Sequence, residues 1–122
     1  MYTKRIICCL CLFLNVLPMH AQSTLTELNA DSTSLSFFNQ GEWKALMKFG
    51  QERIDNGIDF SLLRMRTGYA AFMLGNYSQS LKHYEKSYLD ETGNSTSLYY
   101  TYLNNLYLNQ RTSARYYAAK MT

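Results

Sequence analysis

Cysteine and proline are confined to the first 18 of the 122 residues: Cys8, Cys9, Cys11 and Pro18. From Gln22 onward the chain therefore has no disulfide staple, no thiolate nucleophile and no cysteine-based metal site. It must hold together by packing alone. Histidine is nearly absent as well. His83 is the only one beyond Gln22, and it reads as a solvated residue on the polar side of a helix rather than as a ligand or base. There is no glycine-rich phosphate loop and no Ser/His/Asp set. Asp55 and Asp59 flank Asn56-Gly57, which reads as a turn and a helix cap and lacks the further oxygen ligands of a calcium loop. No basic block occurs. Without Lys4 and Arg5 the chain carries ten cations against nine acids, a net charge of +1, which argues against a nucleic-acid partner. These absences leave no cofactor, no metal and no catalytic residue to expect, and they argue against an enzyme.

The segment 1–21 reads as a secretory signal peptide. Lys4-Arg5 is a basic start, Ile6 to Leu17 is an apolar stretch of about 12 residues, and Met19-His20-Ala21 precedes the cut. The stretch is short for a bilayer, which needs roughly 20 apolar residues. Cleavage would leave no stable membrane span; retention as an anchor is the alternative. The bulky neighbours of the three cysteines argue against a lipidated start. The expected location is outside the cytoplasm, in a periplasm or cell envelope. Gln22 to Ala30 reads as a loose mature N-terminus, and 31–122 as one domain.

What remains is rich in tyrosine and punctuated at a fixed period. Gly41, Gly75 and Asn109 recur at i, i+34 and i+68. Glycine enters the left-handed region without steric cost, and asparagine more readily than most residues. Such residues suit the tight turn between two antiparallel helices, and a period of 34 is one helix–turn–helix repeat. The period predicts an all-α domain of about three helical hairpins, over 31–60, 61–94 and 95–122.

In the central unit the first helix is expected from near Asp59, as N-cap, to Leu74. Leu62, Met65, Tyr69 and Phe72 form its main apolar face; Leu63, Thr67, Ala70, Ala71 and Leu74 form a second, smaller one. After Gly75-Asn76 the second helix carries Tyr77, Leu81, Tyr84 and Tyr88 in a stripe, with Ser80 and Ser87 beside it. Gly68 is expected to let the two helices approach, with Tyr84 filling the space between. In the third unit Leu98, Tyr99, Tyr102, Leu103, Leu106 and Tyr107 have helical spacing, and Ala114, Tyr117, Ala118 and Met121 are expected to face inward. In the first unit Trp43, Leu46, Met47 and Ile54 are the apolar side of the second helix. The serines within Asp31 to Gln40 make a poor helix interior there, where Leu35, Phe37 and Phe38 supply the contacts.

Ser61 to Asn94 resembles a tetratricopeptide repeat over its whole length. The match rests on Gly68-Tyr69-Ala70, Gly75-Asn76-Tyr77, Ser80, Tyr84 and Ser87. Gly41-Glu42-Trp43, Asn109 and Ala114 extend it to the flanking units. Arg64, Thr67, Ala71 and Thr92 depart from the family pattern. The resemblance implies a short right-handed α-solenoid whose concave face, lined by first helices, binds peptides or proteins. By the same resemblance the groove carries Leu62, Met65, Arg66, Tyr69, Phe72 and Met73 from the central unit. Thr96, Tyr99, Leu103 and Leu106 follow from the next.

Such a groove is apolar and aromatic, and Arg66 is its single candidate cation. It suits a hydrophobic or amphipathic segment of a protein partner rather than a clamp for a terminal carboxylate. The opposing reading makes these side chains ordinary core. The last helix, Ser113 to Met121, keeps an apolar face with no helix following it. That face fits self-association, or a longer envelope protein of which this is the front part. The expected function is a non-enzymatic interaction or scaffold module. The alternatives are a structural oligomerisation piece and an accessory domain of an enzyme.

Overall fold

The computed structural model describes residues 19–122, with side chains described from Thr24 onward. The basic start and apolar stretch of the expected leader lie outside the described residues. Six helices follow in order: α1 Met19–Gln40, α2 Trp43–Asp55, α3 Ser61–Met73, α4 Tyr77–Asp90, α5 Ser95–Tyr107 and α6 Arg111–Lys120. The fold is all-α. Among the described residues there is no strand, and no helix is long and apolar enough to cross a membrane.

The turns at the repeat period are one turn built three times. Gly41, Gly75 and Asn109 have φ of 67°, 75° and 58°. Each donates its N–H to the carbonyl three positions back: Phe38 at 3.1 Å, Phe72 at 3.0 Å and Leu106 at 3.0 Å. The next N–H reaches five positions back, from Glu42 to Phe37 at 3.0 Å, Asn76 to Ala71 at 2.8 Å and Gln110 to Asn105 at 2.8 Å. This paired closure satisfies carbonyls that a helix end leaves open, and it requires the left-handed residue. Gly57, at φ 87°, ends α2 in the same way. Two asparagines start the helices that follow a turn. The Asn76 side chain accepts from the Gln79 N–H and the Asn94 side chain from the Ser97 N–H.

Two local expectations differ from the structure. α1 is one helix of 22 residues, so Gln22–Ala30 is helical where a loose segment is expected. Neither proline nor glycine interrupts Met19 to Gln40, and the serine load is accommodated because Ser34 bonds its own backbone, donating to the Asp31 carbonyl at 3.0 Å. Asp59 does not cap α3. Phe60 holds that position, and Asp59 instead takes two hydrogen bonds from Arg64, at 2.8 and 2.7 Å.

Each helix packs on its neighbours in sequence, and α1 also touches α3. α3 and α4 run antiparallel: Ser61 meets Ser87 near one end, Gly68 meets Tyr84 in the middle and Phe72 meets Tyr77 at the other. α4 and α5 repeat this through Ser87–Ser97, Tyr84–Tyr100, Ser80–Asn104 and Tyr77–Tyr107. The small residues make the approach possible. A Cβ on Gly68 would stand 3.0 Å from two atoms of the Tyr84 ring and 3.1 Å from the His83 Cβ, and one on Gly50 would overlap the Thr67 side chain.

Of the face of α3 expected to be the smaller one, Leu63, Thr67, Ala70 and Ala71 are fully hidden together with Gly68, whereas Leu74, past the last turn of the helix, is 38% exposed. α5 shows the same preference. It buries Ser97, Leu98, Thr101, Asn104 and Asn105, and turns Tyr99, Leu106 and Tyr107 outward. Close helix approach selects for small volume and short polar side chains that can bond across the seam. It does not select for hydropathy. Thr67 and Thr101, one period apart, each hide a hydroxyl by donating to the carbonyl one helical turn back at 2.7 Å. In α6, Ala114 is buried as expected, Tyr117 and Ala118 are half-buried, and Met121 is exposed.

Candidate functional site

The first helices α1, α3 and α5 are linked by a continuous path of rings, joined by Trp43 at the start of α2. Phe38 and Trp43 both pack on Tyr69, with ring centres 5.3 Å apart in each pair. Tyr69 meets Tyr100 edge-on at 5.8 Å, Tyr100 meets Phe72 at 5.2 Å, and Phe72 meets Tyr107 at 5.7 Å. Polar contacts register the same helices. Arg66 Nη1 donates to the Asp31 carboxylate at 2.6 Å, to the Asp31 carbonyl at 2.9 Å and to Ser34 Oγ at 2.9 Å. The Asn94 amide donates to Met65 Sδ at 3.2 Å. Edge-to-face aromatic pairs contribute roughly 0.5–1.5 kcal/mol each beyond their buried area, so the path stiffens the surface it lines.

A cavity of about 460 Å³ opens on this face. Of the residues expected in the groove, Leu62, Met65, Arg66, Tyr69 and Thr96 line it. The others do not line it. Phe72 is held among Tyr77, Tyr100 and Tyr107, Tyr99 leans on Tyr100 at 47% exposure, and Leu103 is half-buried. Met73 and Leu106 are exposed.

Four lining residues escaped the sequence reading: Leu35, Phe38, Tyr84 and Tyr100. The period itself contains the signal for three of them. Leu35 and Phe38 stand one period before Tyr69 and Phe72, and Tyr100 stands one period after Arg66. Tyr84, expected as filler beneath Gly68, fills that space and lines the cavity as well. Burial, then the neighbouring phenols of Tyr100 and Tyr69, hold its hydroxyl well above the usual phenol range, so it remains a neutral donor. Tyr100 is raised for the same reasons, burial first.

Away from the cavity lining, the seams between α3, α4 and α5 carry polar contacts. Ser87 Oγ lies 2.8 Å from both Ser61 Oγ and Ser97 Oγ. Asn104 donates to Ser80 Oγ at 2.8 Å. Leu46, Ser80 and Ala114, which share one place in successive repeats, are all buried, as expected for small or inward positions.

His83 corrects the sequence reading outright. It is 2% exposed, not solvated, because Gly68 lets α3 close over α4 at that point. Its Nδ1 lies 3.3 Å from Arg64 Nη1, which makes Nδ1 the acceptor and Nε2 the N–H. Nε2 has no partner among the described residues. Burial, reinforced by the Arg64 charge, lowers its pKa to about 4. The Arg64 hydrogen bond in turn holds the Asp59 carboxyl below the ordinary carboxylate range. Among the described residues no three His, Cys, Asp or Glu side chains are grouped to hold a metal ion.

Comparison with protein-family models, with curated proteins and with solved structures finds no match.

Proposed function

We propose that the chain is a non-enzymatic interaction module, a short right-handed solenoid of tetratricopeptide-like hairpins that holds a segment of a protein partner against α1, α3 and α5. The observation that carries this reading is the aromatic face. Packing of the hairpins alone does not require Leu62 to stand exposed on the wall of an apolar cavity, or Tyr99, Leu106 and Tyr107 to stand exposed on α5, and exposed apolar surface of this kind marks interaction sites. The identical turns at Gly41, Gly75 and Asn109 support the repeat assignment, and the basic, apolar and small-residue order of 1–21 supports export to a periplasm or cell envelope. An apolar groove with one charged wall suits an amphipathic segment laid along the first helices.

Selection of a random peptide library on the chain tests this. Enrichment of peptides with spaced large apolar residues is expected, and it should vanish in a Leu62→Asp/Tyr99→Asp variant that keeps its helical circular dichroism. Equal enrichment by the variant would remove the groove from the reading.

A second reading, a structural oligomerisation piece, draws on other residues: Tyr116 on α6, Met121 just after it and Leu89 on α4 are exposed. Sedimentation over a hundredfold concentration range separates the two. A monomer throughout excludes oligomerisation, and association that survives Leu62→Asp but not Tyr116→Asp excludes the groove as its cause.

A further inference from the structure

The cavity lining carries a polar group that the fold leaves without a partner. Tyr84 is 2% exposed and lines the cavity, yet its hydroxyl bonds to no described residue. Unlike His83 Nε2, that oxygen is not sealed in, so the cavity is where it can still be reached. Its ring is fixed on both sides, stacked on Tyr100 at 4.7 Å and pressed beneath Gly68. A phenylalanine would fill the same space between Gly68 and Tyr100, so packing alone does not call for the hydroxyl. The hydroxyl is therefore free to donate to a group that enters the cavity.

The walls narrow what that acceptor belongs to. Phe38, Leu35, Leu62 and Met65 require an apolar body. Tyr69 and Tyr100 meet at 87°, an aromatic corner that alone would suit a cation. Arg66 on the wall decides against one. Its Nη1 is committed to Asp31 and Ser34, while its Nε and Nη2 donate to no described residue. The charge on the wall is thus the cationic half of the Arg66–Asp31 pair, since Asp31 does not line the cavity, and the N–H groups it leaves over can only donate.

We infer that the well is a binding site for an apolar group, aryl or alkyl, that ends in an acceptor oxygen of the carbonyl class, with Tyr84 Oη donating to that oxygen. This names the anchor that a partner segment would place in the groove, and in that sense it rests on the groove reading.

The test uses the full chain and two small probes of equal bulk, 4-phenylbutan-2-one and 3-phenylpropylammonium, with binding followed by chemical-shift change of the tyrosine rings. Saturable binding of the ketone and none of the ammonium is expected. Tyr84→Phe should weaken the ketone about tenfold and leave the unfolding midpoint unchanged or higher. Each of four results would overturn the inference. The ketone does not saturate; the ammonium binds as tightly; Tyr84→Phe binds the ketone equally well; or Tyr84→Phe lowers the midpoint by several degrees, which would mean that the hydroxyl already has a partner. Loss of probe binding with peptide enrichment retained would remove the well alone. Loss of peptide enrichment with probe binding retained would remove the segment reading alone.

Discussion

The two sides of α3 obey different rules. Toward the groove it presents Leu62, Met65, Tyr69 and Phe72, large side chains that still reach solvent. Toward its neighbours it presents Leu63, Thr67, Gly68, Ala70 and Ala71, small for the most part and fully hidden. The seam continues into α4 and α5 as Ser80, Ser87, Ser97, Thr101 and Asn104, all with essentially no exposure. Bulk and hydropathy serve the open side, while closeness and hydrogen bonding serve the closed one. Stability should therefore reside mainly in the seam, leaving the aromatic face free to vary with what it binds.

Acid should strike the seam hardest. His83 has a folded pKa of about 4 against 6.5 unfolded, so between these values the unfolded chain binds more protons. Stability from this residue is complete above about pH 6.5, falls as pH drops through the window and levels off below pH 4. The loss is on the order of 3 kcal/mol. Urea titrations from pH 7 to 4 would show it, and His83→Gln should flatten the slope. A slope unchanged in that variant would relocate the acid sensitivity.

Gly50→Ala comes next. The added methyl overlaps Thr67, and a cost of about 2–3 kcal/mol is expected. Combined with Thr67→Ala, the same change should cost much less, and a double-mutant cycle reads the coupling directly. Ser87→Ala, which removes the link between Ser61 and Ser97, should cost about 1–2 kcal/mol by leaving hydroxyls unpaired.

The smallest effects belong to the groove. Tyr99→Ser and Leu106→Ser, at exposed positions, should each change stability by about 0.5 kcal/mol or less. Thermal unfolding of these variants is the sharpest check on the division of labour. If they unfold the protein while Ser87→Ala does not, the comparison is reversed.

Much of the skeleton was readable from punctuation. Gly41, Gly75 and Asn109 have the backbone conformation that their residue types suggest, and the helices begin and end within a few residues of the expected places apart from the start of α1. The pairing of Gly68 with Tyr84 was also readable, because a missing side chain opposite a large one leaves few arrangements. The seam was not readable. Asn104, Asn105 and His83 look like surface residues in one dimension, and their burial follows from how near a second helix comes, which depends on glycines elsewhere in the chain. At the candidate site the α3 residues were visible from their helical spacing, and Leu35, Phe38 and Tyr100 needed only a strict shift by one period.

Packing between sequence neighbours has a kinetic side. Among the described residues each helix packs on its sequence neighbours: α2 can settle on α1, α3 on both, and each later helix on the one just formed. Loop-closure entropy is then small at every step, and such local topologies fold in microseconds to milliseconds. A chain delivered end first meets each packing partner in the order in which it emerges. The fold can therefore be completed progressively from the first hairpin, with little time spent showing its aromatic face to other unfolded chains.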